Sequence, residues 1–305
     1  MKIKGILVTM LAPFENHIAN GGEKLLGNAS SIKRRPDGKV YASGQMQRHV
    51  LFSSINRLNE ADENKGETFV SNGDGVTPFI ENDLRADMGG FMHPSKGDYS
   101  GRRTAPISVT PAVATGLSQV GRDLLVRIKL DTNDGSKGQA LATKEFSETD
   151  IMHMNFFLDI SALSISKAFV YEGGFNLGTR YFKHANDAER MRRAKLFLNG
   201  TRYMNDYASQ ARNAVSGEPQ KVLIVFDEMM SRKASRYFIA EEQERSNILA
   251  ELKARNATYF IGDDQTSNSV QAAFDNALQF LAENDLYDPS NGGEIQTFAE
   301  AFGNE

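Results

Sequence analysis

The sequence predicts an α+β fold, and three observations predict it. Short runs crowded with branched apolar residues, Ile3, Ile6, Leu7, Val8 and Leu11 near the start and Lys221-Val222-Leu223-Ile224-Val225-Phe226 later, read as buried strands. Apolar residues recur at helical spacing after Ser43 and again over 186–213 and 238–255. Long polar, glycine-bearing stretches at 59–104 and 131–150 interrupt both patterns. Strands mixed with a few long helices and carrying insertions give an α+β core.

In chain order, the opening strand covers 2–12 and ends at Pro13. A polar loop follows through Asn20-Gly21-Gly22. Pro36-Asp37-Gly38 is a turn, so the flanking runs form a hairpin whose second strand is Lys39-Val40-Tyr41-Ala42. Ser43 stands at a helix N-cap, with Met46, Val50, Leu51, Ile55 and Leu58 on one side of the helix. The 59–104 stretch is an insertion punctuated by Asp74-Gly75 and Met88-Gly89-Gly90, and its acids Asp83 and Asp87 read as solvated. A strand at 124–130, the turn-rich run 131–138 and a second apolar run at 151–165 suggest a projecting hairpin. The helix over 186–213 places Met191, Leu196, Phe197, Tyr203 and Tyr207 on its apolar side; that over 238–255 uses Ile239, Ile248, Leu249 and Leu252. A strand at 257–262 and an amphipathic helix at 266–284 complete the chain.

Of the 305 residues, 40% are hydrophobic and 24% charged, the balance of a soluble globular protein able to bury a core. No shift in composition divides the chain, which is read as a single domain over 1–305. Cysteine is absent, which excludes disulfides, thiolate metal sites and cysteine nucleophiles and makes the cytoplasm the expected location. No stretch reaches the roughly 18 apolar residues of a membrane span, and no leader cleavage site follows the first strand.

The net charge of −4 is unevenly spread. Residues 1–236 carry 32 Lys and Arg against 26 Asp and Glu, whereas 237–305 carry 3 against 13. Between 30 and 57, Lys33, Arg34, Arg35, Lys39, Arg48 and Arg57 face Asp37 alone. That segment is the best footprint for a phosphate chain, a solvated basic face being the plain alternative.

Enzyme motifs are poor. Gly22-x-x-x-x-Gly27 begins like a phosphate-binding loop, but Asn28 and Ala29 stand where lysine and hydroxyl are required. The five histidines lack metal-ligand spacing. More informative is Ser43-Gly44-Gln45-Met46-Gln47-Arg48, where a strand turns into a helix: the free amides of the first turn favour an anion, and Gln45 and Arg48 share a helix face. Arg102-Arg103 before an apolar strand can grip phosphates or simply keep a strand end soluble. Glu172-Gly173-Gly174-Phe175-Asn176-Leu177-Gly178 reads as a loop, one that can also let RNA approach the main chain.

Taken in order, these segments resemble the Cascade backbone family of CRISPR-associated proteins, the DevR-like group of type I systems, in an I-B-like form. The resemblance rests on the opening strand with Asn20-Gly21-Gly22, on Tyr41-Ala42-Ser43-Gly44-Gln45-Met46-Gln47-Arg48, and on Asp83-Leu84-Arg85-Ala86-Asp87-Met88-Gly89-Gly90. Arg102-Arg103-Thr104-Ala105-Pro106-Ile107 and the helix from Arg190 to Tyr207 extend it over roughly 1–230, and the last 70 residues match only in coarse pattern. The family's aromatic-glycine step is replaced here by Arg85-Ala86-Asp87-Met88.

The resemblance implies a modified ferredoxin-like, RNA-recognition-type core, with 59–104 forming fingers or a web and 118–150 a thumb. It implies copies stacked head to tail along a guide RNA whose bases pair with target DNA, alongside other Cascade subunits and away from any membrane. RNA contacts are then expected from Asn20, Lys33, Arg34, Arg35, Ser43, Gly44, Gln45 and Arg48, with Arg102 and Arg103 supporting the groove. No catalytic residue, metal or cofactor is expected. Related type III backbone proteins cut RNA with an aspartate in the loop after the first strand, and here no aspartate precedes Asp37. A metal-dependent endoribonuclease using Glu15, Glu23 and Asp37 is the rival reading, and a purely protein-binding subunit a third.

Overall fold

The computed structural model describes residues 1–25, 29–73, 77–93, 101–130 and 137–302. Gly27 and Asn28 of the glycine-spaced loop, Asp74-Gly75, the 94–100 part of the insertion and the 131–136 turn lie outside the described residues. In chain order the main elements are β1 (Gly5–His17), β2 (Tyr41–Ala42), α1 (Gly44–Glu60), α2 (Leu84–Gly89), β3 (Phe91–His93), β4 (Gly101–Arg103), β5 (Ile107–Val109) and β6 (Ala112–Ala114). There follow β7 (Val120–Leu130), β8 (Lys137–Asp159), β9 (Ile165–Glu172), β10 (Phe175–Lys183), α3 (Asp187–Arg202), β11 (Lys221–Asp227), α4 (Glu242–Ala254), β12 (Thr258–Asp263) and α5 (Val270–Ala282).

The main sheet runs β12-β11-β1-β8, with β5 and β6 on the far side of β8 and β2 beside β6. These neighbours are all antiparallel; Val8 of the central β1 faces Phe156 on one side and Ile224 on the other. Because β1 is covered on both faces, alternate residues feed two cores. Ile6, Val8, Met10, Ala12 and Phe14 join Val50, Leu51, Ile55, Phe197 and Phe274 beneath α1, α3 and α5. Leu7 joins Phe157, Leu223, Val225, Ile248 and Leu252 on the opposite side. That second face is closed by a 3₁₀ turn (Lys233–Ile239) and α4, with the Thr9 hydroxyl donating to the Ser235 carbonyl at 3.2 Å and the Arg232 guanidinium lying 4.3 Å from the Phe157 ring centre.

Two ribbons leave this core. β7 and β8 pair continuously from Val120↔Ser147 to Leu130↔Lys137, the hairpin expected at 118–150. At its base the buried His17 ring meets the Asp150 carboxylate at 2.8 Å, and Ser118 and Ser147 donate to the same carboxylate. The second ribbon, β9 with β10, falls where a loop was read. Its two-residue turn, Gly173-Gly174, has φ of 56° and 85°, which only glycine adopts readily and which matches strand twist.

Other expectations change too. The helix expected over 186–213 stops at Arg202, after which the chain turns so that the Tyr207 hydroxyl reaches Gln47 Oε1 at 2.6 Å, with its ring edge-on to Phe14. Tyr207 is thus a core residue of a loop. The 238–255 helix begins at Glu242, and Ile239, placed on its apolar side, is 58% exposed.

Asp83 and Asp87, read as solvated, are both fully buried. Asp83 caps α2, accepting from the amides of Arg85 and Ser71 and from the Thr77 hydroxyl. Asp87 accepts from Arg193 at 2.7 Å, Arg103 at 2.5 Å, and the Ser164 amide and hydroxyl at 2.8 and 2.7 Å. The insertion is therefore bolted to α3 through charge. Burial by itself raises the Asp87 carboxyl, but the Arg103 and Arg193 guanidiniums override it and hold the group below the ordinary carboxylate range.

Candidate nucleic-acid interface

The site grows from the end of β1. After His17 the chain turns, with the Gly21 amide bonded to the Ile18 carbonyl at 2.7 Å. Asn20 is thereby aimed at the start of α1, and its Oδ1 accepts from the Ser43 amide at 3.1 Å. Asn20 Nδ2 is buried and has no protein partner among the described residues.

Ser43 is extended (φ −63°, ψ 155°) and caps α1, its hydroxyl accepting from the Met46 amide at 3.2 Å. Its carbonyl takes the Gln47 amide. The amides of Gly44 and Gln45 have no acceptor within the helix and point from its positive end. Ser43→Ala is expected to cost about 1 kcal/mol of stability, read as a small fall in thermal midpoint.

The basic run lies alongside. Residues Ala29–Ser31 form a short strand parallel to β8 at Thr143 and Lys144, and the Ile32 amide donates to the Glu145 carboxylate at 3.2 Å. Lys33, Arg34 and Arg35 thus start at the base of the long ribbon. Arg34 bridges to Val40, and the Arg35 amide bonds the Lys39 carbonyl around the expected turn. Arg34 and Arg35 are exposed and Lys33 half-buried. Val40 precedes Ser43 by three extended residues, so the Arg34 backbone stands about 10 Å from the helix cap. The backbone therefore brings the hairpin that carries the three cations to the neighbourhood of Asn20, Ser43, Gly44 and exposed Gln45.

Two predicted members do not join it. Arg48 directs its guanidinium to the Gly89 carbonyl at the end of α2 and lies 5.7 Å from the Phe52 ring centre; burial lowers its pKa. A helix C-terminus supplies unpaired carbonyls, and Arg48 satisfies one. Arg103 is 6% exposed at its side chain and donates to Asp87 and to the carbonyls of Ala162 and Ile165. It holds the insertion in place and is not on the surface. Arg102 pairs through its backbone with Met92, and its side chain lies outside the described residues.

The candidate acids are dispersed. Glu15 is exposed near the end of β1, Glu23 is exposed on a short strand beside Ser31, and Asp37 lies 3.8 Å from Arg35. Among the described residues, no three of His, Asp and Glu are grouped to hold a metal ion, and no helix is long and apolar enough to cross a membrane.

The sequence reading missed the cover over the second sheet face. Nothing in the spacing of 232–254 distinguishes a helix on that face from one on the other. It also passed over the signal for the second ribbon, a Gly-Gly pair between β-prone runs.

No family model matches the chain, and no match is found among curated proteins. Solved structures do share its fold. A chain from a structure described as a CRISPR RNA-guided surveillance complex superposes with a TM-score of 0.55 at 13% identity, over 90% of this chain and 99% of that one. A chain from a surveillance complex described as pre-nicking gives 0.53 at 12% identity, over 91% and 99%. At these identities the likeness is one of fold.

Proposed function

We propose that this chain is a non-catalytic backbone subunit of a type I CRISPR surveillance complex, holding guide RNA by its phosphates. The observation that carries the reading is the bond from the Ser43 amide to Asn20, which draws the loop after β1 onto the positive end of α1, three residues along the chain from the Val40 that bridges to Arg34. Free amides and flexible cations on one surface bind a polyanion without regard to base. The extent of the fold likeness, across nearly the whole length of surveillance-complex chains, supports the same class.

The order β11-β1-β8-β5, with α1 and α3 on one face, supports reading the core as ferredoxin-like. An RNA-recognition fold of this kind reads bases on its open sheet face. In this chain the 3₁₀ turn and α4 occupy much of that face, which favours grip on the sugar-phosphate strand and leaves bases free to pair with target DNA. The β7–β8 ribbon serves as the thumb and the segment around α2 as the web, in a DevR-like protein that stacks head to tail with its own copies and other Cascade subunits in the cytoplasm. Asp37, which lies beside exposed Arg35, and Glu15 and Glu23, exposed on separate strands, are read here as surface acids.

The test is the salt dependence of guide-RNA binding by purified protein. Changing Lys33, Arg34 and Arg35 together to alanine is expected to flatten the log-log salt slope by about 0.7 per lost contact, about 2 in all. Arg48→Ala is expected to lower stability and leave that slope in place. An unchanged slope in the triple variant would remove the basis of the reading.

A further inference from the structure

The β9–β10 ribbon presents an aromatic surface that the described residues leave exposed. Register places Lys167 opposite Tyr181 and Phe169 opposite Thr179, so Lys167, Phe169, Tyr171 and Tyr181 share one face. Phe169 is 51% exposed, Tyr171 63% and Tyr181 42%. The Phe169 and Tyr171 ring centres are 6.5 Å apart, and Lys167 Nζ lies 5.6 Å from the Phe169 centre. Glu172, the only acid between 165 and 183, falls in register opposite Phe175, off this row. At the tip, a Cβ on Gly173 or Gly174 would meet nothing within 4 Å, so the face is open to its end.

We infer that this face is a second nucleic-acid contact, one that takes the unpaired bases of a single strand by stacking. Rings also serve protein interfaces, but those are depleted in lysine, and here Lys167 stands on the row with no acid beside it. The other ribbon exposes aliphatic groups, Leu124, Val126, Ile128 and Leu141, which pack well against apolar protein but offer no ring to a base. The β9–β10 face instead offers a row of rings with a lysine at its base, the combination that holds single strands through π-faces and neutralises the adjoining phosphate. The spacing of Phe169 and Tyr171 lets each ring take its own base. This contact depends on rings where the Asn20–Ser43 surface depends on cations, so the two are separable by experiment.

The chain contains no tryptophan, which makes a direct reading possible. In full-length Phe169→Trp the single indole is expected to be quenched when a short mixed-sequence single-stranded DNA, or the RNA of the same sequence, binds. Phe169→Ala/Tyr171→Ala/Tyr181→Ala is expected to bind at least one of the two about tenfold or more weakly, with an unchanged salt slope. The strand that suffers the loss identifies the source, DNA or RNA. An abasic strand of equal length is expected to bind wild type and the triple variant alike. Three results would overturn the inference: an unquenched indole with strand bound, full affinity of the triple variant for both strands, or a variant that loses self-association while keeping strand affinity. The last would make the face a protein-docking surface.

Discussion

Asp87→Ala is expected to destabilise the protein by about 3–5 kcal/mol, because it leaves the buried Arg103 without its counter-charge and Arg193 with Glu189 alone. Arg193 is fully buried at its side chain and Arg103 nearly so, and Asp87 is the acid both share. Hydrophobic repacking cannot compensate, since the vacated volume is lined by donors and carbonyls. Equilibrium urea unfolding measures the effect: the midpoint should fall at nearly constant slope. A loss below about 1 kcal/mol would mean that water or a rearranged Glu189, which already accepts from Arg193 at 2.7 Å, takes over the role.

The same carboxylate sets a pH dependence. Its folded-state pKa is depressed, so its contribution is complete above the unfolded-state value near 4 and is lost as pH falls through the lower folded value. Acid unfolding of wild type is therefore expected to steepen below about pH 4, and Asp87→Asn to flatten that limb.

Gly90→Ala is the second large effect, at about 3 kcal/mol. Gly90 closes α2 at φ 67° and ψ 167°, a region closed to side chains. A Cβ there would stand 2.5 Å from the Arg103 carbonyl and 2.7 Å from the Ala105 amide nitrogen, both backbone atoms that cannot swing aside. Gly173→Ala supplies the control: its φ is also positive, but the space around it is open, so only the backbone penalty of about 1 kcal/mol should appear. Equal losses in the two variants would show that the close approach of the Arg103–Ala105 backbone carries no weight.

Elements set by local chemistry were readable in advance. β1 and β11 announce themselves because burial on two faces demands unbroken apolar runs, although β1 continues through Pro13, where it was expected to end, to His17; α1 does so because Ser43 caps it by an interaction three residues long. The long ribbon was legible only in part: its outgoing strand was read at 124–130, but its return strand runs over 137–147, inside the stretch read as polar, while 151–159 belongs to the main sheet. What escaped was set by contacts remote in sequence. Tyr207 looks helical until Gln47, 160 positions away, claims its hydroxyl. Arg48 and Arg103 look like surface cations until the α2 segment folds back and takes them. For the candidate site, residue types and the helix cap were legible, and their juxtaposition through Asn20 was legible only as a resemblance. The count of positive charges overstated the site, because charge in a sequence does not say which cations fold inward.

Strand β8 is one unbroken run of 23 residues, ribbon at one end and sheet centre at the other, clamped where they meet by His17 and Asp150. Mechanically it is a cantilever. Load applied at the free end is passed to the beam's root, among the hydrogen bonds that join it to β1.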